Sequence, residues 1–258
     1  MGKIPLGRFC WYELLTTDPE AAPGFYEKVT GWGTGAWETE GAPPYTMWMN
    51  GESAIGGLMQ LPEPAAQAGA PPHWIAHIST PDLAATTAKA EKLGGQVLNQ
   101  MKVPTVGEFA IIKDPQGAVF AAFESEGDAP GHDGPAKMGE FSWHELATDD
   151  WEAAWSFYSQ LFGWVATDTA DMGEIGMYHM FGRGAHPLGG MFNRPPEMPV
   201  SAWLFYAKVP DAKAAVEAVQ KNGGQVVNGP MEVPGGDWIV QCLDPQGAMF
   251  AVHASAQG

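Results

Sequence analysis

The chain carries itself twice. Residues 7–32, GRFCWYELLTTDPEAAPGFYEKVTGW, lie over residues 139–164, GEFSWHELATDDWEAAWSFYSQLFGW, without a gap, and 14 of the 26 positions are identical. Tyr45, Met47, Gly51, Gly56 and Gly57 then match Tyr178, Met180, Gly184, Gly189 and Gly190. GGQV recurs at 94–97 and 223–226, and DPQGA closes both series at Asp114–Ala118 and Asp244–Ala248. An ordered set of this kind is a duplication, and it restricts the fold to one that each half supplies with the same elements. Between the halves, SEGDAPGHDGPAKM (125–138) is rich in Gly, Pro and Asp and reads as a linker. The expected organisation is therefore a domain over 1–124, a linker over 125–138 and a second domain over 139–258.

Each half is itself doubled, more faintly. Laying 16–31 over 80–95 pairs Thr16 with Thr80, Asp18 with Asp82, Ala21 with Ala85, Lys28 with Lys92 and Gly31 with Gly95. Both stretches read as strand, Asp cap, helix and glycine. Asp18 is the expected N-cap, with Pro19 at the first helical position and the helix closing near Gly31. Ala22, Phe25, Tyr26 and Val29 share one helical face, as do Ala154, Phe157, Tyr158 and Leu161 in the second half. Those faces are expected to pack on a sheet. Strands are expected at 9–16, 44–50, 53–60, 73–80, 107–113 and 118–124, with counterparts in the second half, whereas GWGTG reads as loop. In DPQG, Pro suits the second turn position and Gly the fourth, which makes a tight hairpin.

Charge narrows the function. A formal net charge of −17 and a pI near 4.6 leave no basic surface to release counterions from nucleic acid or to attach to an anionic membrane. Cys10 and Cys242 lie in apolar runs without metal-ligand spacing, and two thiols make no disulfide framework. The first residues, MGKIPLGRF, lack a leader-like apolar stretch, so a cytoplasmic location is expected. Phosphate-binding loops, dinucleotide fingerprints and G-x-S-x-G elbows are absent from the sequence.

A strand–helix–three-strand unit used four times, with a T-x-D cap, FY in the helix, GW or GG after it and a DPxG hairpin, resembles the vicinal oxygen chelate superfamily. This group contains glyoxalase I, bleomycin-resistance proteins and extradiol dioxygenases. The likeness covers residues 7–124 and 139–254 and is closest to tandem two-domain, glyoxalase-like members. It implies an α+β fold of two tandem half-barrel domains, each of two βαβββ units. It also implies a divalent metal held by His, Glu or Gln from first and last strands.

This chain departs from that pattern. The residues seven before Asp18 and Asp150 are Trp11 and Trp143, and those seven after Asp114 and Asp244 are Ala121 and Ala251. The fifth-strand positions hold Ile75 and Leu204, and alignment puts Gly56 and Gly189 at the fourth-strand position. None of these offers a donor for a catalytic divalent ion, so neither metal nor cofactor is expected. Trp11 and Trp143 either wall a pocket or plug the barrel.

Strand alternation places further side chains on the inner face with them: Glu13, Glu145, His77, Tyr206, Lys208 and His253. A buried carboxylate needs a partner. His77 is the expected partner of Glu13, and Lys208, Tyr206 or His253 that of Glu145. Glu145 and His253 are then the candidate acid–base pair, and Trp11, Glu13, His77, Trp143, Tyr206 and Lys208 the candidate ligand contacts. The reading is a protein, monomeric or homodimeric, that binds a small, partly aromatic molecule without a metal. The alternative is a metal-dependent lyase or dioxygenase with unusual ligands, such as His77 with Glu13 or His253 with Glu145.

Overall fold

The computed structural model describes residues 4–38 and 44–256. In the first repeat the strands are β1 (Phe9–Thr16), β2 (Gly33–Trp37), β3 (Tyr45–Asn50), β4 (Ser53–Gln60), β5 (His73–Ser79), β6 (Gln96–Val103), β7 (Gly107–Lys113) and β8 (Val119–Ser125). The second repeat gives β9 (Phe141–Thr148), β10 (Val165–Asp171), β11 (Met177–Gly182), β12 (Gly189–Asn193), β13 (Ala202–Lys208), β14 (Gln225–Glu232), β15 (Trp238–Leu243) and β16 (Met249–Ala254). Helices α1 (Ala22–Thr30), α2 (Glu63–Gln67), α3 (Leu83–Lys92), α4 (Trp151–Phe162) and α5 (Ala212–Lys221) connect them. The strands form two eight-stranded sheets of the same order, β2-β3-β4-β1-β5-β8-β7-β6 and β10-β11-β12-β9-β13-β16-β15-β14. The class is α+β, as the sequence implies.

Two local expectations change. Helix α1 starts at Ala22 with Pro23 in its first turn, not at Pro19. The Asp18 carboxylate accepts from the Ala21 backbone N–H at 3.0 Å, so it organises the turn leading into the helix. The Gly-rich patch after α1 is strand β2, laid antiparallel on β3 from Gly33↔Met49 to Trp37↔Tyr45. Backbone ladder bonds suffice to make a strand at the sheet edge, where no alternation of side chains need show. Gly31 closes α1 in the left-handed region, φ 78°, with its N–H on the Glu27 carbonyl.

The repeated pentapeptide does more than turn the chain. One oxygen of Asp114 accepts the backbone N–H groups of Gln116 and Ala118 at 2.8 and 2.9 Å, and Gly117 takes φ 100°. The other oxygen accepts the Tyr158 hydroxyl at 3.0 Å, and Trp203 Nε1 donates to that hydroxyl at 3.1 Å. The second copy repeats the chain: Asp244 holds Gln246 and Ala248, Tyr26 donates to it at 3.0 Å, and Trp74 donates to Tyr26 at 2.9 Å. Burial pushes both carboxyls above their ordinary value and, with the facing carboxylate, holds both phenols well above theirs. The tyrosine of each FY pair thus packs in the core and anchors the turn of the other repeat.

This exchange fits the division into compact units. One unit comprises Met1–Trp11, Ile75–Pro135 and Trp143–Trp203; the other comprises Tyr12–Trp74, Ala136–Ser142 and Leu204–Gly258. Each draws on both repeats. The linker is ordered where it joins the first unit. Arg8 donates to Asp133 and to the Ala129 carbonyl, and Arg183 pairs with the same Asp133 oxygen. Burial works to raise the Asp133 pKa, but the two guanidinium groups outweigh it and hold it low.

Candidate functional site

Glu13 stands opposite Gly57 in the parallel β1–β4 ladder, and Glu145 opposite Gly190 in β9–β12. In both places a tyrosine from the neighbouring strand lies across the glycine to reach the glutamate. Tyr45 donates to Glu13 Oε1 at 2.7 Å, and Tyr178 to Glu145 Oε2 at 3.0 Å. A Cβ on Gly57 would collide with the Tyr45 hydroxyl, and one on Gly190 with the Tyr178 ring. Glycine is therefore required for the carboxylate–phenol pair to form. Trp143 Nε1 in turn donates to the Tyr178 hydroxyl at 2.7 Å. Burial, followed by the Glu145 charge, pushes the Tyr178 phenol well above its ordinary value, so it stays protonated as donor. Trp143 and Glu145 are half-buried.

This geometry corrects the alignment at the fourth strand. Gly57 and Gly190 share the face of the glutamates, whereas a Cβ on Gly56 or Gly189 would strike the backbone carbonyl of Tyr12 or His144. The tyrosines are the residues the sequence reading missed. They were visible as the matched pair Tyr45 and Tyr178, but only the register shows that they face the glutamates.

The remaining candidates fall into two groups. In one unit, His77 is buried at 5% exposure, with its ring edge-on to Phe109 at 5.2 Å and to Phe123 at 6.2 Å. Trp11, on β1, is half-buried in the same unit. In the other unit, Tyr206 is buried and accepts from Gln241 Nε2 at 2.8 Å. Lys208 reaches the Ala136 carbonyl at 3.3 Å. His253, read from the sequence as a partner for Glu145, has its two ring nitrogens taken up elsewhere: Nδ1 by Ser142 Oγ and Nε2 by Asp237 Oδ2, each at 2.8 Å. Burial works to raise Asp237, yet the Ala256 N–H, His253 and the Lys208 charge hold it below its ordinary range.

Other titratable groups are held by packing. His144 is buried and stacks on Phe9 at 3.7 Å, with Nδ1 on the Leu188 carbonyl at 2.6 Å. His179 stacks on Trp151 of α4 at 5.0 Å and lies tilted against Trp155 at 4.6 Å. Burial pushes the thiols of Cys10 and Cys242 up to about 12, which leaves them without thiolate character at neutral pH.

A divalent metal of the kind the resemblance implies does not fit these residues. The corresponding positions hold indoles, aliphatic side chains and a glycine already crossed by a tyrosine ring. Among the described residues no three His, Cys, Asp or Glu side chains gather in a way that could hold one. Among those residues, too, no helix is long and apolar enough to cross a membrane.

Fold and repeat together define the class. The chain belongs to the glyoxalase/bleomycin resistance protein/dioxygenase superfamily: that family's model matches residues 140–252, and a glyoxalase-like domain model matches residues 12–123. CFP32 of Mycobacterium tuberculosis is 39% identical over 119 residues, which is 46% of this chain and 44% of its own, so the chain spans about half of that relative's length. The anthracycline biosynthesis protein DauV of Streptomyces sp. strain C5 is 29% identical across 98% of this chain and 94% of its own. The Mn(II)-bound glyoxalase from Novosphingobium aromaticivorans superposes with a TM-score of 0.64 at 14% identity, over 100% of this chain and 84% of that one. The latter likeness shows the fold.

Proposed function

We propose that the protein binds a small, partly aromatic molecule without the superfamily's usual metal, and that Trp143, Tyr178 and Glu145 contact it. The observation that carries this reading is the chain of hydrogen bonds from Trp143 Nε1 through the Tyr178 hydroxyl to Glu145. It fixes an indole and a carboxylate side by side on one strand face, half-buried. An indole supplies apolar stacking area, and a carboxyl group supplies oxygens that orient a polar group. The end-to-end similarity to DauV supports an aromatic ligand, since anthracyclines are polycyclic aromatic compounds. The acidic charge supports a setting away from nucleic acid and anionic membranes; the reading places the protein in the cytoplasm as a monomer or homodimer.

Tryptophan fluorescence titrated with a library of aromatic metabolites and antibiotics tests the reading. Saturable quenching that weakens at least tenfold in Trp143→Phe and Glu145→Gln is the expected result. Near-stoichiometric divalent metal in protein purified without chelator, lost together with activity in Glu145→Gln, would replace it with a metal-dependent lyase or dioxygenase using unusual ligands.

A further inference from the structure

The linker is held down by few side chains. Its segment GDAPGHDGP (127–135) lies outside every strand and helix, and Ala129 is the one buried residue in it. The β7–β8 ladder ends just before it, where the Glu126 N–H donates to the Val106 carbonyl at 3.0 Å. Ala129 seats its methyl group among Cys10, Phe123, Ile4, Val106 and Phe109, an apolar recess of the first unit. Two residues on, Gly131 takes φ 88° and lies against β1: a Cβ there would stand 2.2 Å from the Phe9 carbonyl oxygen.

The rest of the hold is ionic. Asp133 Oδ2 accepts from Arg8 Nη2 at 2.7 Å and Nε at 3.2 Å, and pairs with Arg183 as well. Two of the chain's three arginines thus converge on one carboxylate oxygen. Aligning the repeats puts Glu140 and Asn50 at the places of Arg8 and Arg183. Asn50 donates to the Met138 carbonyl at 2.9 Å, as Arg183 Nε donates to the Leu6 carbonyl at 2.7 Å. That backbone contact is common to both repeats, and the clasp on Asp133 is added to it. The side chains of Arg8, Asp133 and Arg183 keep 26%, 32% and 21% of their surface exposed, so dissolved ions screen the clasp. Without the carboxylate charge, two guanidinium groups would be left facing each other.

A segment with one buried methyl group, lying outside the ladders and fastened by a screened ion cluster, has the make-up of a part that opens locally while the rest stays folded. We propose that residues 127–135 are a strap that Asp133 latches over the apolar recess around Cys10, and that it opens without unfolding the sheet beneath. The latch then sets how often Phe109 and Phe123, in the wall of that recess, meet solvent and apolar solutes.

Cys10 lies under the strap and reports its opening, and Cys242, buried in β15, is the reference. The native protein is alkylated with N-ethylmaleimide, and each cysteine is followed separately by peptide mass spectrometry. Cys10 is expected to react at least tenfold faster than Cys242, and faster still as sodium chloride rises from about 0.05 to 1 M. Asp133→Asn should raise the low-salt rate at Cys10 at least tenfold and remove its salt dependence. Gly131→Ala, which lifts the strap without touching the clasp, should raise the rate and keep the salt dependence. Urea midpoints and the Cys242 rate should stay near the parent's in both variants. Equal rates at the two cysteines, or parental Cys10 rates in both variants, would overturn the proposal. So would variants in which both cysteines quicken together as the urea midpoint falls, because the linker would then open only with the whole fold.

Discussion

Tyr158 donates to an Asp114 oxygen inside the protein while Trp203 donates to Tyr158, and the set recurs at Tyr26, Asp244 and Trp74. Removing one hydroxyl leaves a buried carboxylate and an indole N–H short of a partner, which costs about 1–3 kcal/mol. Tyr158→Phe and Tyr26→Phe are each expected to lower the urea midpoint accordingly, with the m-value unchanged. His144 sets a pH dependence. Burial holds its folded pKa at about 3 against 6.5 when free, so the unfolded chain takes up a proton that the folded chain refuses. Its contribution is present above pH 6.5 and lost as pH falls toward 3. Asp114 and Asp244, raised by burial, act oppositely between 3.8 and their higher folded values. Urea unfolding between pH 7 and pH 5 should show the histidine's share of the stability falling with acid, and His144→Phe should remove that share.

At the scale of elements, the β9–β12 register decides the candidate site, because a shift of one residue would put Gly189 where Gly190 must be. Gly190→Ala places a methyl group on the Tyr178 ring. The ring must leave, breaking its bonds to Glu145 and Trp143. We expect a loss of about 1–3 kcal/mol from overpacking and a shift in tryptophan emission. Helix faces, most strand limits and the DPQG turn were legible in the sequence because periodicity and turn chemistry are local. Strand β2 was not, since an edge strand of glycines carries no alternating pattern. Nor were the partners of Glu13, Glu145 and His253. Alternation puts Glu145 on the face of Trp143, but Tyr45, Tyr178 and Asp237 come from strands or turns whose register the sequence leaves open.

At the scale of the whole molecule, duplication was plain from sequence, whereas the exchange between repeats was not. Matching residues reveal that two halves are alike but not which helix meets which turn. Each compact unit contains an FY helix from one repeat and a DPQGA turn from the other. Residues 1–124 and 139–258 expressed apart are therefore expected to lack a cooperative unfolding transition, and to regain it when mixed in equal amounts, as near-UV circular dichroism would report. The reciprocity of the two Tyr–Asp bonds has an ancestral corollary. A single-repeat polypeptide bearing one such helix and one such turn could satisfy both only by embracing an identical copy about a twofold axis.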